Sequence, residues 1–118
     1  MARRRGVGGL TKRVAFDAPL PASDDYGGSE DGWQADNLAI KRPAEFIYQR
    51  GGEGEQHGRL SGSARFKVRI HQSVAARTIT TDFRMRDVKR DIAYQIHEVD
   101  NISDDTWIYL VVESGVAI

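Results

Sequence analysis

A small all-β domain, an antiparallel β-barrel or sandwich of about six strands with two long loops and little helix, is the fold this sequence predicts. Three observations carry that expectation. Residues 64–72 read Ala-Arg-Phe-Lys-Val-Arg-Ile-His-Gln, a strict period of two that puts Phe66, Val68 and Ile70 on one face and Arg65, Lys67, Arg69 and His71 on the other. Neighbouring segments repeat the alternation, and no stretch carries a convincing amphipathic helical period. Two polar, glycine-bearing stretches, 19–42 and 51–63, separate the alternating segments, the pattern of a barrel or sandwich rather than a helical bundle. At 118 residues the chain has room for one modest core, so the expected organisation is a flexible basic arm over 1–9 and a single β domain over 10–118.

The first strand is expected between Leu10 and Ala18, where Val14 and Phe16 alternate with Arg13 and Ala15, and it stops at Pro19 and Pro21, which have no N–H for a ladder. From there to Arg42 the chain is acidic and aperiodic. Such a connection is too long for a hairpin turn, and its Tyr26 and Trp33 are expected to pin it to the domain. A second strand follows over Ala44–Gln49, with a possible entry at Leu38-Ala39-Ile40. Residues 51–63 hold five glycines and one aliphatic residue, too little apolar surface to order themselves strongly. After the 64–72 strand, a fourth segment runs from Arg77 through Phe83 and Met85. A fifth strand, Ile92–Val99, turns at Asn101–Asp105 into a last strand, Thr106–Ser114, apolar on both faces and therefore expected at the centre of the domain in a hairpin with the fifth.

Composition excludes several classes of function. There is no cysteine, hence no disulfide, thiolate nucleophile or sulfur-bound metal, and no apolar run approaches a membrane span or a signal-peptide core, so a cytosolic protein is the default. His57, His71 and His97 lack metal-ligand spacing and read as surface histidines. Ser61 and Ser63 lack the strand-to-helix turn of a nucleophile elbow, the glycine clusters do not lead a strand into a helix, and the acidic stretch at 24–31 lacks the order of a calcium loop. No enzyme and no cofactor is expected. A cationic strand invites comparison with single-strand nucleic-acid binders, but the outward positions of 64–72 carry no aromatic residue for base stacking. A monomeric β-barrel that binds nucleic acid is kept as an alternative function.

Net charge is zero, yet charge is sorted along the chain. Arg3, Arg4, Arg5, Lys12 and Arg13 stand without an acid, whereas residues 17–36 hold six acids and no base. Nine Lys/Arg then face Asp82 and Asp87 over 59–90, and 91–118 is purely acidic. Either oppositely charged strands pair within one sheet, or each copy presents a basic and an acidic surface to neighbouring copies.

In order, these segments resemble the head-tail joining proteins of tailed bacteriophages and gene transfer agents, the small adaptor and head-closure (stopper) proteins. The resemblance rests on Leu10-Thr11-Lys12-Arg13-Val14, Asp24-Asp25-Tyr26-Gly27 with Trp33, Arg50-Gly51-Gly52-Glu53, Phe66-Lys67-Val68-Arg69-Ile70, and the closing segments 82–86, 92–99 and 107–112. It departs from the family at Lys41-Arg42-Pro43 and in the glycine-rich 53–63 loop. The resemblance implies a structural virion protein, assembled in the bacterial cytoplasm, that forms a homo-oligomeric ring, hexamer or dodecamer, beneath the portal or adaptor ring. Such a ring would close the DNA-filled head and dock a tail terminator or tail tube protein, with packaged DNA held non-specifically in the lumen and no membrane involved; a tail-completion protein is the weaker alternative. It assigns the channel loop to Gly51, Gly52, Glu53, Gly54, Glu55, Gln56, His57, Gly58, Arg59 and Leu60. Ring or partner contacts are expected at Arg3, Arg4, Arg5, Tyr26, Trp33, Arg65, Lys67, Arg69, Arg84 and Arg86.

Overall fold

The computed structural model describes residues 9–21, 32–48 and 64–115. Six strands, β1 (Lys12–Asp17), β2 (Ile40–Tyr48), β3 (Ala64–His71), β4 (Arg84–Asp87), β5 (Ile92–Asp100) and β6 (Trp107–Ser114), close an antiparallel barrel in the order β1-β2-β3-β6-β5-β4. Helix among the described residues is limited to two 3-10 turns, Asp36–Leu38 and Ala76–Thr78. The expected all-β barrel is the fold, and β6 pairs with both β3 and β5, the central position its two apolar faces predict.

Period-two alternation sets the interior. Val14 and Phe16 from β1, Val68 and Ile70 from β3, and Ile108, Leu110 and Val112 from β6 are fully buried, joined by Met85, Tyr94 and Ile96. Phe66, expected in the same layer, is half-buried and packs on the core from its rim. In β5 the alternation breaks between Ile96 and Glu98, where a bulge accommodates His97. Because one extra residue reverses the faces beyond it, Val99 rather than Glu98 joins the core.

Two expected boundaries move. The second strand begins at Ile40 and runs through Pro43, because residues 40–43 pair only with β1 and the β3 ladder starts at Ala44. Pro43 thus sits where β2 has one neighbour, the place in a sheet that tolerates a missing donor. The fourth segment is shorter than expected: residues 76–78 form a 3-10 turn and β4 starts only at Arg84. Local bonds favour the turn, since Ser73 Oγ accepts the Ala76 N–H and the Thr78 hydroxyl donates to the Ala75 carbonyl. Ala76 and Ile79 are buried and Phe83 packs beside them, so the connection between β3 and β4 stoppers the end of the barrel where those strands meet it.

The β5–β6 turn is held by carboxylates. Asp100 accepts from the Ile102 and Ser103 N–H groups and Asp104 from Thr106 and Trp107. The bond from the Ser103 backbone lowers the Asp100 pKa most.

A charge at Val68 would sit unpaired in the middle of this interior. Val68→Asp is expected to cost about 3 kcal/mol or more and to abolish a cooperative thermal transition followed by circular dichroism. Arg65→Ala, on the exposed face of the same strand, should shift stability by less than about 1 kcal/mol. A normal melt for Val68→Asp would remove Val68 from the core.

Candidate functional site

Among the described residues, no group of three or more His, Asp or Glu is placed to hold a metal ion. What the barrel builds instead are three surface arrangements: a charge clasp, a ladder of cations on aromatic rings, and an open mouth.

The clasp lies over β1. Ala15 and Asp17 point out of the barrel, yet both are fully buried, and the chain that leaves β1 pairs with the stretch around Trp33. Leu20 N–H donates to the Gly32 carbonyl, Gln34 N–H donates to Ala18, and Pro19 bridges to Trp33. Asp17 accepts from Arg84 Nε at 2.8 Å and from Arg86 Nε and Nη2 at 2.6 and 2.9 Å. Arg86 Nη2 also donates to Asp36 at 2.8 Å, and Asp36 accepts from Lys41. The Arg84 guanidinium stacks over Trp33, 4.9 Å from the ring centre. Burial pushes the Asp17 carboxyl up, but the bonds from Arg86 and Arg84 outweigh it and hold its pKa below the usual value. Bonds from Arg86 and Lys41 lower Asp36 likewise, and the two carboxylates, Asp17 first, raise Arg86.

The ladder covers β3 and β6. Arg65 meets Glu113 directly across the strands at 3.2 Å, and His97 Nε2 shares Glu113 at 2.7 Å. One step along the diagonal, Lys67 lies over the Tyr109 ring and Arg69 over the Trp107 ring, 3.9 Å from its centre. Arg69 also donates from Nε to Glu45, its register partner on β2, at 2.6 Å.

The mouth is the end of the barrel opposite the 72–83 stopper. Phe46, Phe66 and Tyr94 meet edge to face there, with ring centres 5.5–6.2 Å apart. Together with Lys12, Asp87 and Arg90 they line a cavity of about 350 Å³. Burial raises the Tyr94 pKa, and Asp87 adds to it. Asp87 itself is buried and caps the β4–β5 turn, accepting from the Lys89 and Arg90 N–H groups; Asp91 closes that turn in the left-handed region at φ 58°.

Several expected contact residues therefore change character. Arg69 was expected on an exposed cationic face, but it is fully buried between Glu45 and Trp107, and a side chain in place of Gly9 would press on Arg69 and Glu45 at 3.3 Å. Arg84 and Arg86 face outward as expected, yet both are committed to Asp17 within the chain. Trp33 is pinned, as its size predicts. Arg65 and Lys67 remain exposed. Arg3, Arg4, Arg5, Tyr26 and Gly51–Leu60 lie outside the described residues. Sequence reading missed Asp17, Asp36, Glu45, Asp87, Trp107 and Tyr109 as partners, although the opposed signs of 17–36 and 59–90 were the available clue.

The phage head completion protein family matches this chain over residues 6–115. None of the curated proteins matches it. Among solved structures, a chain from the virion of a native gene transfer agent particle shares the fold at a TM-score of 0.57 and 19% identity, covering 91% of this chain and 96% of that one.

Asp17→Asn should lower stability by about 2 kcal/mol at neutral pH, since it weakens three charge-assisted bonds to half-buried cations. The sign follows from the lowered pKa: the contribution is present above about pH 4, the ordinary carboxylate value, and is lost as pH falls through the lower folded-state value. Urea denaturation against pH checks this, and Asp17→Asn should flatten the acid limb. Reversing Arg84 and Arg86 to Glu would set like charges beside buried Asp17 and should destabilise the monomer itself, not only its assembly.

Proposed function

The chain belongs to the phage head completion protein family, and from that premise we propose that copies of it form a ring below the portal that closes the filled head and receives the tail. Membership supports a structural role in head completion. The family match over nearly the whole described barrel is the observation that carries the reading. The finer assignment, a stopper ring with packaged DNA in its lumen, is supported by two further features. The barrel is closed, so its strands leave only short unpaired stretches, such as β2 at 40–43 where Pro43 sits, and association through side-chain surfaces and the connections is favoured over strand pairing. Those connections leave at opposite ends: the acidic 22–31 segment departs beside the clasp, and the glycine-rich 49–63 segment departs beside the mouth. A head-to-tail contact between unlike ends generates a ring when the rotation closes.

The monomeric nucleic-acid binder is less well supported. Trp107 and Tyr109 do stand among cations on the outer face, but their rings are already covered by Arg69 and Lys67, which leaves little free aromatic surface for bases.

Particles made without this protein should contain full-length heads that lack tails and lose DNA, seen by negative-stain microscopy and nuclease-protected DNA content. Tailed, DNA-retaining particles would overturn the reading. Deleting Gly54–Leu60, the expected lumen segment, should leave the monomer folded, because loop length changes closure entropy slowly, while particles built from it release DNA. Full retention would move the obstruction elsewhere.

A further inference from the structure

We infer that Arg42 of one copy receives the Asp105 carboxylate of the next copy, an inference that rests on the ring reading and names its contact. Arg42 stands in the inner row of β2. It lies directly opposite Val14, which is fully buried, and between Ile40 and Ala44, both of which pack in the core. Residues directly opposed in an antiparallel pair share a face, so the arginine starts from the apolar side of the strand. It is half-buried, and its Nε is sealed from solvent with no hydrogen-bond partner, the one such side-chain nitrogen or oxygen among the described residues. Arg65, Arg69, Arg84 and Arg86 each meet a carboxylate within the chain, whereas Arg42 meets none among the described residues. A desolvated guanidinium N–H without an acceptor opposes folding, and an apolar side chain would serve the monomer better. The position therefore suits a group that arrives from outside the chain, and a carboxylate fits the fork of Nε and Nη.

The matching acid lies at the same end of the barrel and on its other side. In the closed order, β5 is the strand farthest from β2 whichever way the wall is followed, so the β5–β6 turn stands across the barrel from Arg42. Both belong to the end where β3 finishes, since His71 pairs with Trp107 at the start of β6 and the β2–β3 ladder stops at Ala44. The turn is held in shape. Gln72 donates from Nε2 to the Asp104 carbonyl at 2.6 Å, while Asp100 and Asp104 commit their carboxylates to N–H groups of the turn. Asp105 is exposed, and its carboxylate has no partner among the described residues; Arg77, which lines the same hollow, donates instead to Gln72. Beside it Ile102 is 85% exposed, an apolar contact for the core-lining side of β2. A fixed turn that offers an isoleucine and an unpaired carboxylate complements a half-buried arginine among apolar neighbours. One copy cannot make this contact, because its own barrel lies between the two groups. Unlike patches on opposite sides make the contact heterologous, the kind a ring repeats.

Arg42→Met separates a role between copies from a role within one. In the dilute isolated chain it should raise the melting temperature, by about 4 °C, since it removes a buried donor without an acceptor, yet particles built from it should join tails about tenfold less often. A lower melting temperature would give Arg42 a partner inside its own chain and overturn the proposal. Asp105→Arg, at an exposed position, should impair joining equally and leave the melt unchanged, and Arg42→Glu should restore joining when combined with it. Asp82→Arg, which reverses another exposed acid at this end, should not substitute for Asp105→Arg in that rescue. The chain has no cysteine, so Arg42→Cys with Asp105→Cys reports the contact alone, as a ladder of cross-linked chains from oxidised particles on a non-reducing gel. A cross-linked monomer of increased mobility would overturn the proposal. So would wild-type joining by both Arg42→Met and Asp105→Arg, an outcome that leaves the ring reading intact. A wild-type protein that stays monomeric in light scattering and does not join portal-bearing heads would instead sink the ring reading, and the proposal with it.

Discussion

Closure of the barrel through β1 is the constraint on which the remaining structure depends. Five of its residues pair with β2 on one side and four with β4 on the other, and Val14, Ala15, Phe16 and Asp17 are buried in succession. A strand covered on both faces usually reads as a continuous apolar run. Here the inner positions are apolar, and the outer ones are a small residue and a carboxylate. Ala15 is small enough to be buried there, and Asp17 supplies the acceptor for Arg84 and Arg86. A buried carboxylate is tolerable only when its charge is met by hydrogen-bonded cations. The clasp therefore meets the charge that closure buries, and it ties Trp33 and Asp36 to β4 through Arg84 and Arg86.

Much of this was legible in the residues. The inner faces of β3 and β6 follow from alternation alone, because one residue of slip would send Val68 or Leu110 into solvent. The central place of β6 follows from its two apolar faces. Other features depend on non-local pairing that a single segment does not carry. Arg69 sits at an outward position like Arg65 and Lys67, and only the register to Glu45 and the diagonal to Trp107 distinguish it. Pro43 argues against a strand until one knows that β2 has a single neighbour there. The bulge at His97 is visible in hindsight, since Ile96 and Val99 are three residues apart, one more than alternation allows.

The same logic divides the candidate contact residues. Sorted charge along the chain had two readings, pairing within the sheet or pairing between copies, and the barrel uses the first for most of its strand charges. Asp17, Asp36, Glu45 and Glu113 all meet cations within the chain. Charges placed in this way hold register and loop stems, and their exposed members contribute little to stability individually. Lys12, Arg13 and Lys89, at the other end of the barrel, make no ion pair with an acid among the described residues.

The pairing of β1 with β4 also has a kinetic meaning. Asp17 lies opposite Arg84, 67 residues away in sequence, while β5 and β6 meet across a short turn. Loop closure over that distance must precede the contacts that reward it, so local hairpins form early and the barrel seals late. Until β1 docks, β2 and β4 each expose an unpaired edge, the usual route to misassociation at high concentration. For a head completion protein, which belongs to a larger particle, the order of these events separates a sealed barrel from a misassociated intermediate. An amino-terminal strand that closes the barrel ties competence for assembly to completion of the fold.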